Sequence, residues 1–208
     1  IYMEVAIVIP TKNKSSFIHL QFLHYSNLKS KHTIYLGDSS NDYHSEKIKF
    51  YVKKFCKSIK IKYFQYPELN AHETHKKLIT QVNEKYAVYS GDDDFYFPQG
   101  LEACVYELEK NNNLNSVHGK TLLIKVDQVN NKLNISGVSQ YFLKENYGST
   151  AKKRFKFFLR NYWVSIYAVQ KTRDIQMSLE KYDTINDDSF SEILSGSISS
   201  LLGESRKI

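Results

Sequence analysis

Three adjacent carboxylates, Asp92, Asp93 and Asp94, are the residues whose spacing most directly implies chemistry. They follow a strand-like apolar and aromatic run at 86–90 and precede Pro98. Carboxylates on one compact turn repel one another, so a divalent cation or a set of hydrogen-bond donors must offset the repulsion. The alternative is an acidic loop that is simply solvated, and the elements around the triplet distinguish the two interpretations.

Strand-like and helix-like segments alternate through the first half of the chain. The apolar and β-branched runs predict strands at 4–10, 32–40, 60–66 and 86–90, and helical periodicity predicts helices at 17–28, 45–57, 73–84 and 99–110. Ser15 or Ser16 is the expected N-cap of the first helix. This alternation predicts right-handed βαβ crossovers and an α/β fold with a mostly parallel sheet flanked by helices.

Polar residues follow three of these strands. The loop 11–16, Asp38 and the carboxylate triplet each come at the carboxyl end of a predicted strand. Ligands of open parallel sheets bind beyond that edge, so we expect the three segments to form one binding site.

The second half of the chain has a different pattern. It predicts strands at 115–126, 134–138 and 163–169, a hairpin turn at 129–132, a basic aromatic helix at 152–160 and a final helix with Ser189 and Glu192 as its capping box. Asp187 and Asp188 lie just before that final helix. Carboxylates in this position also stabilise a helix N-terminus, which leaves their chemical role open.

Length and charge restrict the architecture and the partners. A chain of 208 residues predicts one domain, with one half at 1–110 and the other, smaller and of mixed β structure, at 111–208. The net charge of +7 favours an anionic partner without choosing one. The two cysteines form no CxxC pair, the start of the chain is not of signal-peptide type, and no apolar run reaches the roughly 18 residues of a spanning helix, so we expect a cytoplasmic protein.

The ordered motifs at 5–13, 34–40, 86–98 and 186–190 resemble those of GT-A fold nucleotide-sugar glycosyltransferases, closest to family 2. The resemblance covers about residues 4 to 205. One departure is Gly91, which stands where many members carry the first acid of the metal-binding motif. A second is that His118 is the last histidine, so a late histidine ligand has no counterpart.

The resemblance implies a role for each matched residue. Asp93 would bind Mn²⁺ or Mg²⁺ with Asp92 or Asp94 assisting, and Asp188, with Asp187 as its rival, would be the catalytic base. The nucleotide-sugar-binding residues would be Pro10, Thr11, Asn13, Asp38, Lys77 and Asp92. Lys76 and Lys77 are open to a second interpretation, as solvated helix charges.

The activity implied is an inverting, metal-assisted transfer of a sugar from a nucleotide-diphosphate donor, a UDP-sugar, to an acceptor hydroxyl in bacterial surface glycan synthesis. The acceptor would be a glycan or a lipid-linked molecule, and no nucleic acid partner is expected. The segment from Lys152 to Arg160 is interpreted as an ordinary amphipathic helix or as a peripheral contact to the inner face of a membrane.

Two other functions compete with this one. A non-catalytic nucleotide or nucleic-acid binding module would use the lysines for phosphate and the aromatic residues for bases. A sugar-nucleotide pyrophosphorylase would need a glycine-rich phosphate loop, and the loop 11–16 has no glycine. The pair His72 and His75 lacks the HExxH spacing of a zinc protease.

Overall fold

Seven strands form one mixed sheet in the order β3-β2-β1-β4-β8-β5-β9, in a computed structural model that describes residues 3–129, 132–180 and 188–208. The strands are β1 Val5–Thr11, β2 Thr33–Asp38, β3 Lys60–Gln65, β4 Tyr86–Tyr89, β5 Leu114–His118, β6 Thr121–Val129, β7 Lys132–Tyr141, β8 Val169–Lys171 and β9 Glu204–Lys207. The helices are α1 Ser15–Asn27, α2 Asp42–Phe55, α3 Ala71–Ile79, α4 Pro98–Lys110, α5 Ala151–Arg160, α6 Thr172–Glu180 and α7 Asp188–Leu202.

The first half is the predicted α/β unit. β1 pairs in parallel with β2 on one side and β4 on the other, and β3 pairs in parallel with β2. Every residue of β1 is buried because helices cover both faces of the sheet, which is why this strand is continuously apolar. The expected α/β class, with a mostly parallel sheet flanked by helices, is confirmed.

The second half adds the antiparallel part of the sheet. β8 lies antiparallel between β4 and β5, and β9 pairs in parallel with β5. The strand expected at 163–169 is wrong, because a 3₁₀ helix, Ser165–Tyr167, precedes the short β8. The strand expected at 115–126 is divided into β5, which is buried in the sheet, and β6, which pairs with β7 in a separate two-stranded ribbon. The helix α6 was not predicted.

Several helix boundaries differ from those that the sequence pattern predicts, among them the start of α1 and the end of α3. The N-cap of α1 is Lys14 rather than Ser15 or Ser16, and no side chain caps the helix. Ser15 instead shares a hydrogen bond of 2.9 Å with the ring of His44, which ties α1 to α2. α3 ends at Ile79, five residues before the expected end.

Two apolar layers lie on opposite faces of the sheet. Alternate residues of β1 point to each layer: Ile7 and Ile9 pack with residues of α1, α2 and α4, and Ala6 and Val8 pack with residues of α3 and α6. A third cluster, Leu143, Phe158 and Trp163, joins the ribbon to α5. Trp163 is therefore a core residue, as expected. None of the described helices is both long enough and apolar enough to cross a bilayer.

Candidate functional site

The three carboxylates lie on a tight turn at the edge where the parallel strands end. We call this turn, Gly91–Asp94, the carboxylate turn. The amide of Asp94 donates to the carbonyl of Gly91 at 3.2 Å, and the amide of Gly91 donates back to Oδ2 of Asp94 at 3.1 Å. Ser90, just before the turn, still bonds to the carbonyl of Val8 on β1, so the turn starts from a fixed strand.

Gln21 of α1 binds the backbone of the carboxylate turn. Its fully buried side-chain amide donates to the carbonyls of Gly91 and Asp94 at 2.8 and 2.7 Å. Because one side-chain amide bonds to both carbonyls, it ties the two ends of the turn together. A polar residue in the same helical row as the buried Ile18 and Tyr25 is the sequence signal that could have revealed it.

The first carboxylate binds the loop after β1. Asp92 is buried, and its two oxygens accept hydrogen bonds from the hydroxyl of Thr11 and from Nζ of Lys14, each at 3.0 Å. Nζ of Lys14 also lies 3.6 Å from Oδ2 of Asp93. The two aspartates raise the pKa of Lys14, above all through the hydrogen bond to Asp92, so a protonated ammonium lies between two carboxylates. Sequence analysis missed Lys14.

The third carboxylate has a different environment. Burial, and then the neighbouring Asp93, raise the pKa of Asp94, although the amide of Gly91 and a hydrogen bond to the hydroxyl of Tyr167 oppose the rise. The same carboxylates, after burial, raise the pKa of Tyr89 to about 12. Asp93 is the most exposed of the three, with 54% of its side chain accessible. The triplet therefore has one paired, one solvated and one partly buried carboxylate.

Gly91 leaves room for the carboxyl group of Asp94. A Cβ atom at this position would lie 2.5 Å from Oδ2 of Asp94, closer than non-bonded atoms approach, and 3.2 Å from Oδ1 of Asp93. A side chain at position 91 would therefore require the carboxyl group of Asp94, which turns back over the glycine, to move.

Asp38 lies buried at the end of β2. Its carboxylate accepts hydrogen bonds from the amide of Ser40 at 2.9 Å, the hydroxyl of Ser45 at 2.8 Å and the hydroxyl of Tyr63 at 2.7 Å. These donors hold the loop between β2 and α2. The nucleotide-sugar-binding role expected of Asp38 stays a prediction.

Asn13 connects this loop to the loop after β1. It has a positive φ of 59°, a conformation that asparagine tolerates better than most residues. Its amide donates to Oγ of Ser40 at 2.8 Å, and its side-chain oxygen accepts from the amide of Asn41 at 2.9 Å. Pro10 is part of the buried β1. The structure thus brings the loop 11–16, Asp38 and the carboxylate turn to one edge of the sheet.

The remaining expected site residues are Lys77, Asp187 and Asp188. Lys77 is exposed on α3, with Nζ 5.0 Å from the ring centroid of Tyr66. Asp188 is the first residue of α7, and Asp187 lies outside the described residues. The roles expected for these residues, as for Pro10, Thr11 and Asn13, stay predictions.

The carboxylate turn offers a cation few protein ligands. Within residues 3–129, 132–180 and 188–208, no three or more His, Cys, Asp or Glu side chains are grouped so as to hold a metal ion. The donor set fits a hard divalent cation through Asp93, because carboxylate oxygens are the ligands that Mn²⁺ and Mg²⁺ prefer and because this carboxylate is solvated. Asp92 and Asp94 already accept hydrogen bonds from the protein.

Solved structures with the same fold include S. aureus TarS and a bacterial synthase. S. aureus TarS in complex with UDP-GlcNAc superposes with a TM-score of 0.59 at 16% identity, over 99% of this chain and 59% of that chain. TarS in complex with UDP superposes with a TM-score of 0.55 at 17% identity, over 99% of this chain and 57% of that chain. The 4-diphosphocytidyl-2C-methyl-D-erythritol synthase from Anaerococcus prevotii superposes with a TM-score of 0.56 at 8% identity, over 99% of this chain and 88% of that chain.

These likenesses establish the fold. The chain has a GT-A-type α/β fold, as its motifs indicated, and it spans less than three fifths of the length of the TarS chains. No protein-family model matches the sequence, and no curated protein is a significant match.

A buried histidine beside the site makes stability depend on pH. His75 of α3 packs against Tyr89, with ring centroids 4.7 Å apart, and its Nε2 has no hydrogen-bond partner. Burial, and then the charge of His72, lower the pKa of His75 from 6.5 to about 3. Between these values the unfolded chain binds a proton that the folded chain excludes, so the stability present above pH 6.5 is lost as the pH falls.

We expect the free energy of unfolding to fall by about 1.4 kcal/mol per pH unit from this one residue below pH 6.5. His75→Phe keeps the ring contact and removes the titrating group, so the decline with acid should be shallower by about that slope. Urea unfolding of both proteins at several pH values between 4.5 and 7.5 measures it. Parallel stability curves would contradict the assignment. His32 and His118, whose pKa values burial also lowers, remain in both proteins as the common background.

Proposed function

We propose that this chain is the donor-binding and catalytic part of a glycosyltransferase that transfers a sugar from a nucleotide diphosphate to an acceptor hydroxyl. The observation that supports it most is the pairing of Lys14 with Asp92 and Asp93 at the ligand-binding edge of a GT-A-type sheet. This pairing places an ammonium and a solvated carboxylate side by side, where a diphosphate needs both a cation and a metal ligand. TarS, with the same fold, binds UDP and UDP-GlcNAc.

The proposal assigns the nucleotide to the two connected loops. Pro10 and Thr11 end β1, Asn13 lies in the loop that follows, and Asp38 holds the loop after β2 against that loop through Ser40. Lys77 contributes positive charge on α3. By resemblance we take the donor to be a UDP-sugar and the acceptor to be a glycan or a lipid-linked molecule of a bacterial surface glycan, made in the cytoplasm.

A divalent cation, Mn²⁺ or Mg²⁺, would be held by Asp93 with Asp92 or Asp94 assisting. The remaining ligands would come from the diphosphate and water. A bound cation would supply charge neutralisation for the departing diphosphate. Lys14 supplies positive charge of its own at the same place, because its ammonium is held within 4 Å of both carboxylates.

The acceptor hydroxyl must lose a proton as it attacks the anomeric carbon. We propose that Asp188 accepts this proton, with Asp187 as the alternative. Asp188 is the first residue of the last helix and Asp187 comes just before it in the sequence, at the position of the family's late acidic motif. Attack from the face opposite the nucleotide inverts the anomeric carbon in one step. The C–O bond to the diphosphate breaks as the new glycosidic bond forms, and the base keeps the proton.

Nucleotidyl transfer is the second candidate, and the fold favours it to the extent that the Anaerococcus synthase superposes over 88% of its own length. The loop 11–16 argues against it because no glycine allows a backbone cradle for a triphosphate. The products separate the two: sugar transfer releases a nucleoside diphosphate, and nucleotidyl transfer from a nucleoside triphosphate to a sugar phosphate releases pyrophosphate.

The donor site is tested with UDP and Mn²⁺ as probes. Isothermal titration calorimetry should show that Mn²⁺ tightens UDP binding to the native chain, and Asp93→Asn should weaken binding in Mn²⁺ by about tenfold or more, since it removes a charged ligand. Asp127→Asn, on the exposed ribbon, is the matched control and should leave binding unchanged. Mn²⁺-independent binding that ignores Asp93, or salt-sensitive binding of oligonucleotides in its place, would refute the proposal.

The catalytic base is tested by separating binding from turnover. Asp188→Asn should leave UDP binding unchanged and lower the rate of nucleoside diphosphate release from the donor in the presence of acceptor by about 10²–10⁴-fold, the usual contribution of a general base. Asp187→Asn is the paired variant. Unchanged turnover in Asp188→Asn with loss in Asp187→Asn would transfer the role to Asp187, and unchanged turnover in both would remove this motif from the mechanism.

A further inference from the structure

The ribbon formed by β6 and β7 has an apolar face that is exposed to solvent. Cross-strand pairs put Ile124 opposite Val138 and Val126 opposite Ile135, and Leu122 is in the same row two residues before Ile124. The exposed fractions are 61% for Leu122, 57% for Ile124, 48% for Val126, 67% for Ile135 and 60% for Val138. We call these five residues the ribbon face.

An exposed apolar face of this kind indicates a partner. Two-stranded ribbons are only marginally stable alone in water, and contiguous apolar patches on soluble proteins mark interaction surfaces. The opposite face of the ribbon is more polar, since Lys125 and Ser139 stand beside Leu123. Burial against a partner is therefore more favourable for the ribbon face than for the opposite face of the ribbon.

The base of the ribbon joins a cationic helix. Tyr141, at the end of β7, packs against the cluster that contains Phe158 of α5, and Nζ of Lys144 donates to Asn161 just after α5 at 3.3 Å. In the sequence, the segment from 146 to 160 contains no acidic residue, and it carries Lys152, Lys153, Arg154, Lys156 and Arg160.

The helix itself presents cationic and apolar side chains together. Lys152, Lys153, Lys156 and Arg160 are exposed. Between them Phe157 and Leu159 have 39% and 50% of their surface in contact with solvent. Arg154 differs, because its guanidinium binds the carbonyls of Gly148, Ser200 and Leu201 and so anchors α5 to α7.

We propose that the ribbon face and the exposed side of α5 form a docking surface for a bilayer that contains anionic lipid. Apolar side chains of the ribbon enter the interface while the lysines of α5 contact the headgroups, the combination that interfacial segments use. A free polyanion would use the charges and leave the apolar face in water. A second copy of this chain would bring two cationic surfaces together. The proposal is independent of the sugar-transfer activity.

Flotation of the protein with vesicles tests the proposal. The native chain should float with vesicles of phosphatidylcholine containing about 30% of the anionic lipid phosphatidylglycerol and stay behind with phosphatidylcholine alone. Ile124→Ser should lower the partition coefficient by about tenfold, because it removes a buried apolar group from the interface. Leu123→Ser, its neighbour on the opposite face, should not.

Charge is tested separately. The double variant Lys152→Gln and Lys156→Gln should lower partitioning by about 30-fold, as two lysines near an anionic surface contribute. Lys53→Gln with Lys57→Gln, at the end of α2, removes the same charge elsewhere and should have little effect. Sedimentation velocity without lipid completes the test.

Three results would overturn the proposal. The native chain would fail to float with anionic vesicles, or all four variants would partition alike, or sedimentation would show a dimer that Ile124→Ser dissociates, which would assign the ribbon face to a second copy. Since every substituted side chain is exposed, an unchanged thermal unfolding midpoint verifies that each variant is folded.

Discussion

Mutual repulsion of three adjacent carboxylates is the constraint on which the site depends. The protein meets it with three different environments: Lys14 and Thr11 bind Asp92, water solvates Asp93, and burial raises the pKa of Asp94. Gln21 holds the backbone of the turn so that these environments persist. The same close spacing suits the turn to cation binding, because adjacent carboxylates attract a cation, which in turn attracts anionic ligands.

The strand order of the sheet explains why the carboxylate turn lies beside the loop after β1 and Asp38. β1 and β4 are parallel neighbours, so the loop after β1 and the carboxylate turn leave the same edge, and β2 brings Asp38 to that edge on the other side of β1. Side-chain bonds across the loops, such as that of Asn13 to Asn41, then fix their separation. A ligand-binding edge follows from strand order, and its chemistry follows from the few polar residues that strand order brings together.

The sequence predicted the parallel half of the sheet well, because β1 to β4 are apolar runs with helical segments between them. It did not predict Lys14 or Gln21 as site residues, since their roles depend on contacts with residues 70 or more positions away. The antiparallel strand β8 was misplaced because it has only three residues, and its position between β4 and β5 is set by pairing rather than by local pattern. The expected ligands and base, Asp93 and Asp188 foremost, rest on resemblance and stay predictions.

Binding of UDP to the uniformly ¹⁵N-labelled chain, followed by amide chemical shifts, tests the central claim most directly. The account predicts that the largest shifts fall on Thr11, Asn13, Ser40 and the carboxylate turn, and that Mn²⁺ broadens the amides of the turn first. The cleft of about 540 Å³ at the opposite end of β4, lined by Lys85, Glu109, Lys171 and Arg173 among others, serves as an internal control. Shifts concentrated in that cleft, or none at the carboxylate turn, would contradict it.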